Sequence, residues 1–125
     1  MCDWFGVNQI ICSKDTVDCF NPKVIQASMG SLAKVEVFYK NLPIFFKNYH
    51  LKPIATDTQG KNIYKTEFQS NNVFVFGNEG NGISDDLKVL LNQYIKIPSF
   101  GKPAADSLNV AVAAGIILGE IKRRG

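Results

Sequence analysis

The chain has 125 residues, 46% hydrophobic and 20% charged, with a formal net charge of +3. A domain commonly takes about 100–200 residues, so this is one domain with enough apolar content for a core, and whole-chain disorder is excluded. Nothing approaches the roughly 18 consecutive apolar residues of a membrane span, Met1-Cys2-Asp3-Trp4-Phe5-Gly6 lacks the basic flank and apolar run of a signal peptide, and the small positive charge permits an anionic partner without requiring one.

The first apolar run, Val7 to Cys12, reads as a strand. Asn21-Pro22 has the form of a helix start, with Asn at the N-cap and Pro at the first helical position. Val24, Ile25, Met29, Leu32 and Ala33 then follow at helical spacing, weakened by Gly30 inside the helix. Val35 to Tyr39 alternates and is rich in β formers, so it predicts a strand. Leu42 to Tyr49 predicts a short helix with Pro43 in its first turn, and Pro53 to Thr56 a short strand. Asp57 to Asn72 is polar, carries Gly60, and reads mostly as loop.

Val73-Phe74-Val75-Phe76 is a continuous apolar run of the kind a buried parallel strand requires. Ser84 is placed to cap a helix with Asp85 and Asp86 in its first turn, where carboxylates favour the dipole, and with Leu87, Leu90 and Leu91 on its apolar face. Tyr94 to Ile97 reads as a strand closed by Pro98, Ser99 to Asp106 as a loop, and about Ser107 to Arg124 as a long helix. That helix is nearly all apolar from Val110 to Leu118, so it is expected to be buried on most sides. A chain this small has little room for such a helix, and a dimer interface along it is the inference. Alternating strands and helices argue for an α/β fold with a mostly parallel sheet flanked by helices.

Three cysteines, Cys2, Cys12 and Cys19, fall in the first twenty residues with no Cys-x-x-Cys pair. Reduced thiols suit this spacing better than a disulfide framework or a zinc site. The single His50 has no evident companion ligands, so no metal is expected. The sequence has no Asn-x-Ser/Thr acceptor, in keeping with an intracellular, cytoplasmic chain.

Two segments stand out chemically. Gly77-Asn78-Glu79-Gly80-Asn81-Gly82-Ile83-Ser84 follows a hydrophobic strand and precedes a helix start. Glycines there let backbone approach a ligand, and a helix N-terminus favours an anionic group. The glycine order departs from the dinucleotide fingerprint and no P-loop Lys follows, so a nucleotide phosphate site is disfavoured. A plain strand-to-helix turn stays open. The second segment runs from Ile97-Pro98 through Gly101 to Ser107-Leu108-Asn109-Val110-Ala111-Val112-Ala113. Ser107 suits a cap. Asn109, two residues inside an apolar helix, is a poor helix former and needs a partner if buried.

Together these segments resemble motifs two and three of the SpoU family of RNA ribose methyltransferases, in the SPOUT superfamily. Gly77 to Ser84 matches the glycine loop of the second motif. Ile97-Pro98, Gly101 and Ser107 to Ala113 match the third, in the same order and at a similar separation. Asp3-Trp4-Phe5-Gly6 resembles the end of the first motif, so the resemblance covers essentially the whole chain as one methyltransferase domain. It implies a C-terminal deep trefoil knot, a feature otherwise nearly absent from proteins, and S-adenosylmethionine as cofactor. Gly77, Ile97 and Leu108 would be its main contacts, with Asn78, Gly80 and Pro98 beside them. Glu79, Ser107 and Asn109 match the family's polar catalytic positions, with roles in orienting cofactor and ribose. The implied reaction is methyl transfer to a ribose 2′-hydroxyl of tRNA or rRNA, by a homodimer joined through the C-terminal helix.

Two departures accompany the resemblance. The family's first strand, the Asn of its first motif and its catalytic Arg would all precede Met1, and the only arginines are Arg123 and Arg124. The expectation is an N-terminally truncated domain. Its alternative is a non-catalytic knotted module that binds RNA or a partner. The loop Phe100 to Ser107 also looks longer than common versions. The lysines, Lys14, Lys61 and Lys65 among them, are scattered along the chain, and RNA binding would need them gathered on one face.

Overall fold

The computed structural model describes residues 1–14, 34–69, 72–78 and 82–125. The helix expected from Asn21 to Ala33 lies outside these residues, as do Cys19, Glu79 and Gly80. The chain divides into two units, Met1–Asn48 and Tyr49–Gly125.

In the first unit, β1 (Gln9–Cys12) pairs in parallel with β2 (Glu36–Tyr39), with Ile10 beside Val37 and Ile11 beside Phe38. Both strands fall inside the runs expected for them. Before β1 the chain makes a turn in which the Val7 N–H donates to the Cys2 carbonyl at 2.8 Å, and Gly6 supplies the positive φ of 71°. Asp3 of this turn pairs with Lys34 at 3.8 Å. Helix α1 (Leu42–Asn48) starts where Asn41 Oδ1 accepts the Ile44 N–H at 3.2 Å. Pro43 costs nothing in the first turn, where an N–H has no helical acceptor. Phe46 is the buried side chain of α1 and meets Phe45 edge-on at 5.8 Å.

The second unit holds a parallel sheet in the order β4-β3-β5, with β3 (Ile54–Asn62) between β4 (Phe74–Val75) and β5 (Gln93–Lys96). Its core is an isoleucine cluster, Ile54, Ile63, Ile95 and Ile117, on which Phe68, Phe74, Phe76, Ile97 and Ile121 pack. Ile117 comes from α3 (Val110–Arg123), so the last helix is fastened to the sheet through its second half. Every strand pairing among the described residues is parallel, as an α/β fold with helical crossovers requires.

Three sequence expectations change here. The segment from Asp57, read mostly as loop, continues β3 to Asn62 and then forms a single 3₁₀ turn, Ile63–Lys65. The strand pairs with β5 through Thr56, leaves it over the exposed residues Asp57 to Gln59, and returns with Lys61 beside Ile95. Gly60 makes the return possible: a Cβ there would lie 2.6 Å from the Ile95 backbone. Polarity reported the excursion, and the buried Ile63 pulls the chain back. Second, the helix after Ser84 is one turn, α2 (Asp85–Lys88). Ser84 occupies its N-cap, but its carbonyl rather than its hydroxyl takes the helix N–H groups, at 3.1 Å from Leu87 and 3.0 Å from Lys88. Third, α3 is not buried on most sides. Ala114 and Ile117 are its buried residues, while Val110, Ala111 and Val112 are exposed. Composition measures the wish for burial, whereas the geometry of one sheet covers only one stripe.

Candidate cofactor site

In parallel sheets ligands gather at the carboxyl ends of the strands. Here β4 runs out through Phe76 into Gly77 and Asn78, and β5 runs out into Ile97 and Pro98. The two exits flank β3 at the same edge, roughly 10 Å apart by strand spacing. The structure therefore brings Gly77, Asn78, Ile97 and Pro98 to one side of the sheet.

After β4 the chain closes on itself. Asn78 and Gly82 exchange backbone hydrogen bonds, the Asn78 N–H to the Gly82 carbonyl at 3.0 Å and the Gly82 N–H to the Asn78 carbonyl at 2.7 Å. Gly77 is obligatory here: a Cβ would stand 2.8 Å from the Gly82 carbonyl carbon and 3.0 Å from the Ile83 nitrogen. Gly82 has φ +67°, and nothing lies within 4 Å of where its Cβ would be. These two glycines serve loop closure, which answers part of the plain-turn alternative. Glu79 and Gly80, expected at the tip, lie outside the described residues.

Ile97 is half-buried on the isoleucine cluster, so its backbone is held by the core. Beyond Pro98 the chain becomes exposed, with Phe100 at 90%, and stays so through Val112. Ser107 is exposed and Leu108 is 50% exposed. Asn109 is not inside the helix. It is the N-cap of α3, exposed, with Oδ1 accepting the Ala111 N–H at 2.8 Å. The awkward Asn within an apolar helix resolves into ordinary capping, because the helix begins at Val110 and not near Ser107.

A second polar feature escaped the sequence reading. Glu120 on α3 accepts hydrogen bonds from Arg123 (Nε at 2.9 Å, Nη2 at 2.8 Å) and from Arg124 (Nε at 2.8 Å). The Arg123 contact first, then Arg124, holds its carboxyl down to about 2, and the same contact raises the Arg123 guanidinium. Arg124 also donates to the carbonyls of Ile63, at 2.8 Å, and Thr66, with its guanidinium 5.3 Å from the Phe68 ring centre. The Glu120-to-Arg spacing of three and four residues was a readable helix-pair signal. The carbonyl partners, about sixty residues away, were not.

Comparison with known proteins gives one answer. The SpoU rRNA Methylase family pattern matches residues 1–119. A 23S rRNA (guanosine(2553)-2′-O)-methyltransferase of Bacillus subtilis is 34% identical over 93% of this chain and 48% of its own length. An uncharacterized tRNA/rRNA methyltransferase of Synechocystis is 35% identical over 95% of this chain and 44% of its own. The solved structure of an AdoMet-bound rRNA methyltransferase from Sinorhizobium meliloti superposes with TM-score 0.86 at 30% identity, over 98% of this chain and 48% of that one. The chain thus spans about half the length of the relatives it matches.

Proposed function

The chain belongs to the SpoU rRNA methylase family, and from that premise we propose that it carries the S-adenosylmethionine site of an RNA ribose 2′-O-methyltransferase acting on tRNA or rRNA. The observation that carries this reading is the convergence of the Gly77 loop and the Ile97-Pro98 segment at one carboxyl edge of the parallel sheet.

The residues fit such a cofactor by their donor set. Gly77 offers backbone groups without a side chain at the loop base, Asn78, its N–H already given to Gly82, offers its side-chain amide and the second lone pair of its carbonyl, and Ile97 and Leu108 offer apolar surface for a purine ring. Pro98 contributes a carbonyl and no N–H, so it accepts only. Gly80 belongs to the same set by its place in the motif. When bound, S-adenosylmethionine supplies an electrophilic methyl group on a sulfonium sulfur. The protein's share is orientation and proton handling, because a ribose hydroxyl is a weak nucleophile until its proton leaves. Glu79, Ser107 and Asn109 are the proposed polar groups for this. Asn109 is pre-oriented by its cap bond to Ala111. The 2′-hydroxyl is also what distinguishes RNA from DNA at such a site.

The wider reading is that residues 1–125 act as one methyltransferase domain whose C-terminal segment forms a deep trefoil knot. Leu108, Val110 and Val112, exposed at 50%, 38% and 50%, support a homodimer in which a second copy covers the start of α3. Among the described residues no helix is long and apolar enough to cross a membrane, and a cytoplasmic location suits an RNA-modifying enzyme. Calorimetric titration with S-adenosylmethionine tests the core of this reading. Saturable binding that Leu108→Asp abolishes is expected. Absence of binding by a chain that circular dichroism shows folded would overturn it, leaving the non-catalytic module.

A further inference from the structure

We propose that the turn Ile63–Lys65 and the last turn of α3 together form a phosphate-backbone contact surface for RNA, with Lys65, Lys122 and Arg123 as its cations and Tyr64 as a stacking face. The substrate class rests on the methyltransferase reading; the location rests on the packing of the second unit. These residues are far apart in sequence. Arg124 joins them, because its guanidinium donates to the carbonyls of Ile63 and Thr66, the residues on either side of Tyr64 and Lys65. Lys122 and Arg123 directly precede Arg124, so two cationic segments lie side by side. The β3–β5 register adds Lys96, which stands beside Asn62 at the same end of the sheet.

The charge left outward is positive. Glu120 is occupied by Arg123 and Arg124, and Glu67 is the other carboxylate on these segments. Lys61, Lys65 and Lys122 are exposed, and none of them makes an ion pair among the described residues. Arg123 keeps 70% of its side chain exposed and Tyr64 is 46% exposed. Cations on adjoining backbone segments, with the exposed ring of Tyr64 next to Lys65 in the same turn, suit a single strand: phosphates meet the cations and a base stacks on the ring. RNA is favoured over an acidic protein by the methyltransferase reading, on which the substrate class rests. Lys96 is followed at once by Ile97, so the surface adjoins the strand end from which the proposed cofactor segment leaves.

The test is fluorescence anisotropy of labelled total tRNA with the full chain, between about 50 and 200 mM salt. Lys65→Ala and Lys122→Ala are each expected to lower the log–log salt slope by about one, and the pair by about two. Tyr64→Ala is expected to weaken binding about fivefold or more with the slope unchanged. Lys47→Ala, in the other unit, should leave both quantities unaltered. S-adenosylmethionine titration of each variant separates the two readings: retained cofactor affinity with lost RNA affinity is the expected pattern. Parent-like slopes in Lys65→Ala and Lys122→Ala overturn the surface while the cofactor site stands. So does a parent chain that binds cofactor but no RNA. Binding of polyglutamate, with the same dependence on these lysines and in place of RNA, would give the surface to an acidic protein and overturn the proposal.

Discussion

Where α3 begins, Leu108 just before it and Val110 and Val112 in its first turn face solvent, whereas at its end the C-cap residue Arg124 is tied to the backbone of Ile63 and Thr66. The apolar end is the uncovered one, and the charged end is the one the chain secures for itself. Glu120 shows how: its side chain is 9% exposed and takes both arginines, while Arg124 turns its remaining donors to the carbonyls of Thr66 and of Ile63, the latter also taking the Thr66 N–H at 3.4 Å. The first turn has Asn109 as its cap, with Oδ1 accepting the Ala111 N–H. The contrast separates a stretch that holds the fold from an exposed apolar stretch, the one proposed above to meet the cofactor and a second copy.

Substitutions along α3 sharpen that contrast. Ile117→Ala, at a site 1% exposed, should cost about 2–5 kcal/mol in urea unfolding. Arg124→Ala should cost about 1.5–3 kcal/mol, since it strips charge-assisted bonds from two carbonyls, and Arg124→Lys should restore little because a lysine cannot bridge both. A loss for Arg124→Ala as small as that of an ordinary surface change would break the comparison.

Glu120 adds a pH dependence. Its carboxyl sits at about 2 in the folded chain against an ordinary 4.5, so its contribution is complete above pH 4.5 and fades as pH falls from there toward 2. The stability difference between the parent and Glu120→Gln should narrow over that window and stay constant above it. A difference unchanged down to pH 2 would count against the pairing.

At the other end, Asn109→Ala should cost about 1 kcal/mol as a lost cap. Asn109→Ser should recover that stability, while on the proposed reaction tritiated methyl incorporation into RNA stays lost in both variants; wild-type activity in either would remove Asn109 from the chemistry. The smallest effect on folding belongs to Leu108→Asp, within about 0.5 kcal/mol because the side chain is half exposed, although it should abolish cofactor binding.

Much of the second unit was legible beforehand. The run Val73 to Phe76 contains β4, β5 overlaps the stretch Tyr94 to Ile97 but starts and ends one residue earlier, and parallel pairing follows from the alternation of elements. The glycine loop was legible as a place of close backbone approach, and Gly77 against Gly82 is such a place. What misled was polarity. Asp57 to Asn62 looks like loop because its side chains face water, yet its backbone remains strand where it pairs with β5. Asn109 misled for a related reason: a helix boundary depends on which N–H groups lack acceptors, and a shift of two residues turns an interior Asn into a cap.

Among the described residues, most of the order of strands and helices, the location of the glycine loop and the Ile97-Pro98 exit, and the membership of a family were settled by residue type and spacing along the chain. Those signals are local, because a period of two or of 3.6 residues and a motif are read within a dozen positions. Which carbonyls Arg124 would find, why Gly60 admits no side chain, and how Lys61 and Lys96 come to stand at one end of the sheet were decided by the tertiary structure alone. Each depends on contacts between segments tens of residues apart, and no local period encodes where such segments meet.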